Sequence, residues 1–223
     1  LCGYAGLFKS YGGTAGVREH AQCPRCGSLE RHRLQALSLD KLALPIVGAT
    51  GNALHFAPEP FMTKRLRPLF QRYVTSDLVM DGVDLRADIT NLPFDNESFD
   101  LVFASHVLEH VADDAAAIRE VARVLVKGGL ALLPVPIVSP GATVEYGAPN
   151  ELEDGHVRAP GLDYFERYSA VFGEVTVYSS RDFPEEFQTF VYEDRGHRSS
   201  GMPSRPTGDV GPHLDYVPVC RKA

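Results

Sequence analysis

The sequence predicts an α/β protein built on a doubly wound, mostly parallel sheet, with a small cysteine-bearing cap at its N-terminus. Two observations carry this reading. Short apolar runs alternate with helical periodicity from residue 53 to about 135, whereas residues 1–27 are glycine-rich, hold cysteines at both ends and show little periodicity. Strands that alternate with helices are joined by right-handed crossovers, which places helices on both faces of a parallel sheet. At 223 residues and 44% hydrophobic content the chain can bury one such core and still carry a small appendage. The expected organisation is a cap and lead-in helix over residues 1–45 and the α/β domain over 46–223, with a loop or lid at 181–212.

In order along the chain, Ser28 is placed to cap a helix over Leu29–Leu44, with Glu30 in its first turn and Leu34, Leu37 and Leu44 on one face. After a break at Gly48–Asn52, Ala53-Leu54-His55-Phe56 reads as a buried strand. Pro60 suits the first turn of the next helix, and Pro68 ends that helix early. Tyr73–Asp77 and Phe99–Ala104 read as further strands. Asp113 or Asp114 caps a helix carrying Ile118, Val121, Ala122 and Leu125 at helical spacing, and Lys127 with Gly128-Gly129 is expected to close it before a strand over Leu130–Val135. Beyond Pro136 the pattern loosens to a helix over Tyr164–Phe172, a strand over Val175–Tyr178 and a last strand over Tyr216–Cys220. A bulge is expected at Pro218, because proline has no amide for the ladder. Arg181–Pro212, rich in Gly, Pro, Ser and Arg, is expected to be a surface loop whose Arg195, His197, Arg198 and Arg205 either meet an anionic acceptor or are solvated.

A net charge of −7 argues against a duplex-wide nucleic-acid footprint. No run approaches the ~18 apolar residues of a membrane span, and no basic-then-apolar leader is visible. The expected setting is therefore cytoplasmic, with neither a nucleic acid nor a membrane as partner. In that setting cysteines are thiols or metal ligands rather than disulfides. Cys23-x-x-Cys26 has the spacing of a zinc knuckle. Cys2-Gly3 echoes Cys26-Gly27 and reads as the second half of another pair whose first cysteine lies upstream of Leu1, with His20 as the other candidate fourth ligand. Cys2, Cys23 and Cys26 thus imply a structural Zn2+, against the alternative of packed, reduced thiols. Cys220 reads as a buried apolar side chain.

Leu92-Pro93-Phe94, Ser98-Phe99-Asp100-Leu101-Val102, Leu108-Glu109-His110-Val111 and Glu120…Arg123-Val124-Leu125…Gly128-Gly129 closely resemble the class I methyltransferases that use S-adenosylmethionine, and the similarity runs from about Ala53 to Pro136. The resemblance implies a Rossmann-like, seven-stranded sheet and S-adenosylmethionine as cofactor. It further implies methyl transfer to oxygen or nitrogen of a small polar acceptor, such as a sugar or natural-product intermediate. Asp77, followed by Leu78, stands about twenty residues past the first strand, where an acid grips ribose hydroxyls. Asp88-Ile89 match the pair that reads and covers adenine, and Ser105 and His106 leave their strand beside the methyl donor.

One segment departs from the pattern. The first strand of such enzymes feeds a glycine-rich loop, but here Phe56-Ala57-Pro58-Glu59 follows His55 with no glycine. Either the pocket is lost, or the loop is rebuilt with Glu59 facing the cofactor's ammonium and Arg31 or Arg33 answering its carboxylate. Cys23-Pro24-Arg25-Cys26-Gly27-Ser28-Leu29-Glu30-Arg31-His32-Arg33 coupled to His-Phe-Ala-Pro-Glu resembles a bacterial methyltransferase subfamily that carries both, which favours the rebuilt loop; surface ion pairs are the other reading of the arginines. His106 and His110 are the candidate general bases. His106, Glu109 and His110, at i, i+3 and i+4, also offer a metal-binding face, against a reading as helix-start scaffolding. His156 and Arg158 resemble a segment that borders the acceptor. Two rivals stay open: a fold relative that binds the cofactor but does other chemistry, and a zinc-ribbon interaction module on a degenerate, cofactor-free domain. Nothing in the sequence predicts an oligomeric state.

Overall fold

The apolar runs become two faces of one sheet in a computed structural model that describes residues 1–13, 16–42, 51–139, 141–191 and 213–223. The elements are β1 (Lys9–Gly13), β2 (Gly16–Gln22), α1 (Glu30–Lys41), β3 (Asn52–Phe56), α2 (Pro60–Leu66), β4 (Arg72–Asp77), β5 (Leu85–Arg86) and β6 (Phe99–Ala104). They continue as α3 (Asp114–Val124), β7 (Leu125–Leu132), β8 (Val144–Asn150), β9 (His156–Ala159), α4 (Tyr164–Ser169), β10 (Glu174–Ser179) and β11 (Tyr216–Arg221). Seven strands pair in the order β10-β11-β7-β6-β3-β4-β5, and β1-β2 and β8-β9 form separate hairpins. β3 to β7 are parallel, and β11 runs antiparallel to both β7 and β10. Strand order reverses between β3 and β6, so a crevice opens beyond their carboxyl ends. Among the described residues, no helix is long and apolar enough to cross a membrane.

Alternation along β3 divides the core. Leu54 and Phe56 pack with Val102, Ile118, Val121, Tyr164 and Tyr168 on the α3–α4 face. Ala53 packs on the other face with Leu34 and Leu39 of α1, Met62 and Leu66 of α2, and Phe103. The lead-in helix α1 therefore packs on the sheet as part of its outer layer.

Several local expectations are corrected. α1 starts at Glu30, and Ser28 does not cap it: the Leu29 amide donates to His32 Nδ1 (3.1 Å), while Ser28 Oγ accepts from Cys26 Sγ (3.2 Å). Leu44 and Gly48–Thr50 lie outside the described residues. α2 ends at Leu66 and tightens into a 3-10 turn at Arg67–Leu69, the early stop expected of Pro68. Gly128-Gly129 does not close α3, which ends at Val124. The pair lies inside β7, with Gly128 at φ +75° and a Cβ on Gly129 falling 2.8 Å from the Val126 carbonyl, next to an irregularity in the β6–β7 register. A helix stop and a strand irregularity both ask for glycine. Pro218 needs no bulge: its ladder with β10 is continuous, and the β7 register runs only from Arg221 to Val219. Cys220 is fully buried and free, as expected. The first part of the 181–212 loop is folded rather than lid-like, with Phe183 and Val191 buried and Thr189 bonded to Ser180; Arg195, His197, Arg198 and Arg205 lie outside the described residues.

His55 is the polar exception on β3. Its ring is buried, bonds to Tyr73 through Nδ1 and meets Phe103 edge-on at 4.9 Å. Burial pulls its pKa down to about 4. As pH falls from about 6.5 to 4, the unfolded chain takes up a proton that the folded chain refuses, so stability is lost through that window. The loss attributable to His55 is on the order of 3 kcal/mol at most. Denaturant melts of wild type and His55→Gln at pH 7 and pH 4 are expected to show the smaller pH loss in the variant; equal losses would contradict this assignment.

Candidate active site

The carboxyl ends of the central strands converge on one cavity of about 410 Å³, lined by Phe56, Ala57, Asp77, Leu78, Val79, Ala87, Asp88, Ile89, His106, Val107, His110 and Val111. Every strand from β3 to β6 contributes from its last residue or the turn after it, as strand order dictates. Asp77 ends β4, and its Oδ1 accepts from the Val79 and Met80 amides (2.8 and 2.7 Å), which fixes the carboxylate at the rim. Asp88 is fixed in the same way by the Thr90 amide and hydroxyl (both 2.8 Å). Buried Ile89 and Ala87 and exposed Leu78 and Val79 give the space between them an apolar lining. Of the residues singled out from sequence, Phe56, Ala57, Asp77, Leu78, Asp88, Ile89, His106 and His110 line this cavity; Val79, Ala87, Val107 and Val111 were missed because they are ordinary apolar residues.

The loop after β3 shows how a glycine-free segment makes the required turn. Ala57 adopts φ +46°, the left-handed region that glycine normally supplies, and its amide donates to Ser76 (3.0 Å). A non-glycine residue there costs about 1–2 kcal/mol. His106 also has a positive φ (+56°), its amide held by Pro134 (2.9 Å).

Two residues past Ala57, Glu59 begins α2 and meets the inward face of α1. Arg31 Nη2 lies 2.5 Å and His32 Nε2 2.9 Å from Glu59 Oε1. Because His32 Nδ1 accepts the Leu29 amide, the neutral ring carries its proton on Nε2, toward Glu59. Burial alone would raise the Glu59 pKa; the His32 ring and the Arg31 charge beside it outweigh burial and hold the carboxyl well below the usual carboxylate range. The set is incomplete as it stands: Glu59 Oε2, Arg31 Nε, His32 Nε2 and Gln35 Oε1 are buried without hydrogen-bond partners, and neither Glu59 nor Arg31 lines the cavity. Gln35, which sequence reasoning missed, donates through Nε2 to Ser105 Oγ (2.7 Å) and so links α1 to the end of β6. Its signal was available, since Arg31, Gln35 and Ser38 share a helical face.

The two remaining arginines have structural roles, which corrects the expectation for both. Arg33 is fully buried and donates to the carbonyls of Ala21, Ser28, Phe187 and Gln188 at 2.6–3.1 Å, with its guanidinium over Phe8 at 4.6 Å. No nitrogen is left for a carboxylate ligand, so Arg31 alone faces Glu59. Arg158 is equally buried. It donates to the carbonyls of Leu108, Val111 and Ala112 and pairs with Glu145, and it does not line the cavity. His156 stands one ring behind the cavity wall, edge-on to His110 at 4.7 Å. Pro58 is half-buried between Ala57 and Glu59 and does not line the cavity.

In the cap, Cys2, Cys23 and Cys26 present their sulfurs within 4.8 Å of one another, with Cys2 and Cys23 3.6 Å apart. Two thiolates in a zinc tetrahedron stand about 3.8 Å apart, so the cluster fits three of four corners. His20 is not part of the cluster.

Residues 51–133 match the family model described as a methyltransferase domain. Among solved structures, the chain is similar to 1,6-didemethyltoxoflavin-N1-methyltransferase from Burkholderia thailandensis, determined with 1,6-didemethyltoxoflavin and S-adenosylhomocysteine bound. That likeness has TM-score 0.56 and 16% identity, covering 87% of this chain and 79% of that one. A protein from Bacillus halodurans described as a methyltransferase gives TM-score 0.52 and 19% identity over 83% of this chain and 99% of its own. A SAM-dependent methyltransferase from Thermotoga maritima gives 0.51 and 18% over 87% and 89%. At these identities the likeness is one of fold: the chain has the Rossmann-like architecture of S-adenosylmethionine-dependent methyltransferases. Its own signature is the Ala57–Glu59 loop facing α1.

The two arginines of α1 should separate in stability measurements. Arg33→Met leaves buried carbonyls without donors and is expected to cost about 3 kcal/mol or more, with faster proteolysis of residues 1–29. Arg31→Met removes one of two partners of a partly buried carboxylate that His32 still faces, and is expected to cost about 1–2 kcal/mol. Equal losses in denaturant melts would contradict these roles.

Proposed function

We propose that this chain is an S-adenosylmethionine-dependent methyltransferase acting on oxygen or nitrogen of a small polar metabolite. The observation that carries the reading is the cavity at the reversal of strand order, with an acid fixed at the end of β4 and another just past β5. Asp77 would hold the ribose hydroxyls through its second carboxylate oxygen. Asp88 would hold the adenine edge, and Ile89 and Leu78 would enclose the ring. Glu59 Oε2 would accept from the ammonium of the amino-acid end, and Arg31 would donate to its carboxylate. When bound, the cofactor supplies a methyl carbon activated by a sulfonium, and the protein's part is to align the acceptor and exclude water.

His106 and His110 face the same cavity and are the groups able to take a proton from a hydroxyl or ammonium acceptor. The cap supports α1 through Arg33, and Cys2, Cys23 and Cys26 would hold a structural Zn2+. The proposed division is a cap with its lead-in helix over 1–45 and a catalytic domain over 46–223, working in the cytoplasm.

Titration calorimetry with S-adenosylhomocysteine tests the cofactor reading. Wild type is expected to bind in the micromolar range. Glu59→Gln and Arg31→Ala are each expected to weaken binding about tenfold or more, the loss of one charge-assisted contact. Absence of binding to the intact chain would sink the enzyme reading, and unchanged affinity in both variants would remove the rebuilt loop. Metal analysis of the purified chain is expected to find about one zinc per molecule, lost in Cys23→Ser; below about half a zinc, the structural-metal reading fails.

A further inference from the structure

We propose that Glu109, His110 and His156 form a second metal site, for one divalent transition-metal ion, at the inner edge of the cavity. Their ligand atoms lie within 4.8 Å of one another. Around an octahedral ion with bonds of about 2.1 Å, neighbouring ligands stand about 3 Å apart and opposed ones about 4.2 Å. Closing the set therefore takes only small rotations, and the exposed His110 ring is free to make them.

Glu109 carries the argument. Its side chain is fully buried, and neither carboxylate oxygen has a hydrogen-bond partner. A carboxylate in that position is costly unless a cation completes it. His106 Nδ1 comes within 3.2 Å of Oε1, but the contact lies off the hydrogen-bond direction. His156 repeats the pattern: its Nδ1 is buried and unpartnered, with Glu153 no closer than 3.9 Å. Two buried side chains with unpartnered polar atoms, Glu109 and His156, thus meet His110 in one small volume, from two separate elements.

The frame around them is rigid. Arg158, two residues after His156 on β9, donates to the carbonyls of Leu108, Val111 and Ala112, which bracket Glu109 and His110. The clamp fixes ligands from both elements relative to each other before any ion arrives, as preorganised metal sites require. Two imidazoles and one carboxylate suit Mn, Fe, Co, Ni or Zn better than Mg or Ca. Because His110 also lines the cavity, the ion's open positions would face the acceptor and favour one that offers a hydroxyl or carboxylate oxygen, with His106 left to take the proton. That last step rests on the methyltransferase reading; the metal site itself does not.

Mn2+ prefers nitrogen and oxygen to thiolate, so it reports this site and not the cap. Full-length protein titrated with Mn2+ and followed by loss of the free-ion paramagnetic resonance signal is expected to bind one ion per chain. His110→Ala and His156→Ala should each weaken that binding at least tenfold while circular dichroism and melting stay near wild type. Glu109→Gln should do the same if it folds; if it does not, the exposed His110 decides. No Mn2+ bound by wild type at millimolar concentration, or unchanged affinity in both histidine variants, overturns the proposal. Calorimetry with S-adenosylhomocysteine on the same samples keeps the two readings apart: wild type that binds Mn2+ but not the nucleoside supports the metal site while removing the methyltransferase.

Discussion

A carboxylate taken out of water must be paired, and the pairing of Glu59 with Arg31 and His32 determines how α1 meets the sheet. One imidazole does two jobs there. His32 Nδ1 takes the first free amide of α1, and Nε2 turns to Glu59 at the start of α2. One residue further on, Arg33 gathers carbonyls from β2, the cysteine knuckle and the loop at 187–188. The helix is therefore bound to the core by its polar side as well as by Leu34 and Leu39. Cap, helix and cavity edge depend on one another through two adjacent side chains, His32 and Arg33.

In the proposed reading, that dependence accounts for the missing glycines. A glycine loop lets backbone come close to a cofactor and leaves the amino-acid end to be held by backbone groups. Here Ala57 makes the same left-handed turn at some cost, and Pro58 stiffens the link to α2. Charge is supplied by side chains on a helix that precedes the first core strand. Glu59 Oε2, Arg31 Nε and Gln35 Oε1 are left without hydrogen-bond partners within the protein.

What could be read in the sequence was what is local. β3, β4, β6 and α3 follow from apolar runs and caps; Asp77 follows from its place at a strand end, which strand order carries to the crevice, and Asp88 from the resemblance to class I methyltransferases. The carbonyl clamps could not be read. Arg33 reaches residues more than 150 positions away, Arg158 nearly 50, and no periodicity encodes either. The leucine stripe of α1 was legible, and the resemblance pointed to Arg31 or Arg33, but the burial of Glu30, His32, Arg33, Gln35 and Ser38 was not, because such residues look like a solvated face. Gly128-Gly129 misled for the opposite reason, that two different local structures share one residue preference. The hairpin β8-β9, which carries His156, has no alternation to announce it, and its importance comes from Arg158 holding the turn of Glu109 and His110.

The central claim is that side chains of α1 and the β3 loop replace a glycine loop in holding the amino-acid end of the cofactor. A crystal structure of the full-length protein with S-adenosylhomocysteine tests it most directly. The account predicts the ribose on Asp77, the ammonium within hydrogen-bond distance of Glu59 and the carboxylate on Arg31. A ligand whose amino-acid end lies elsewhere, with the Arg31–Glu59 pair closed and untouched, would contradict it.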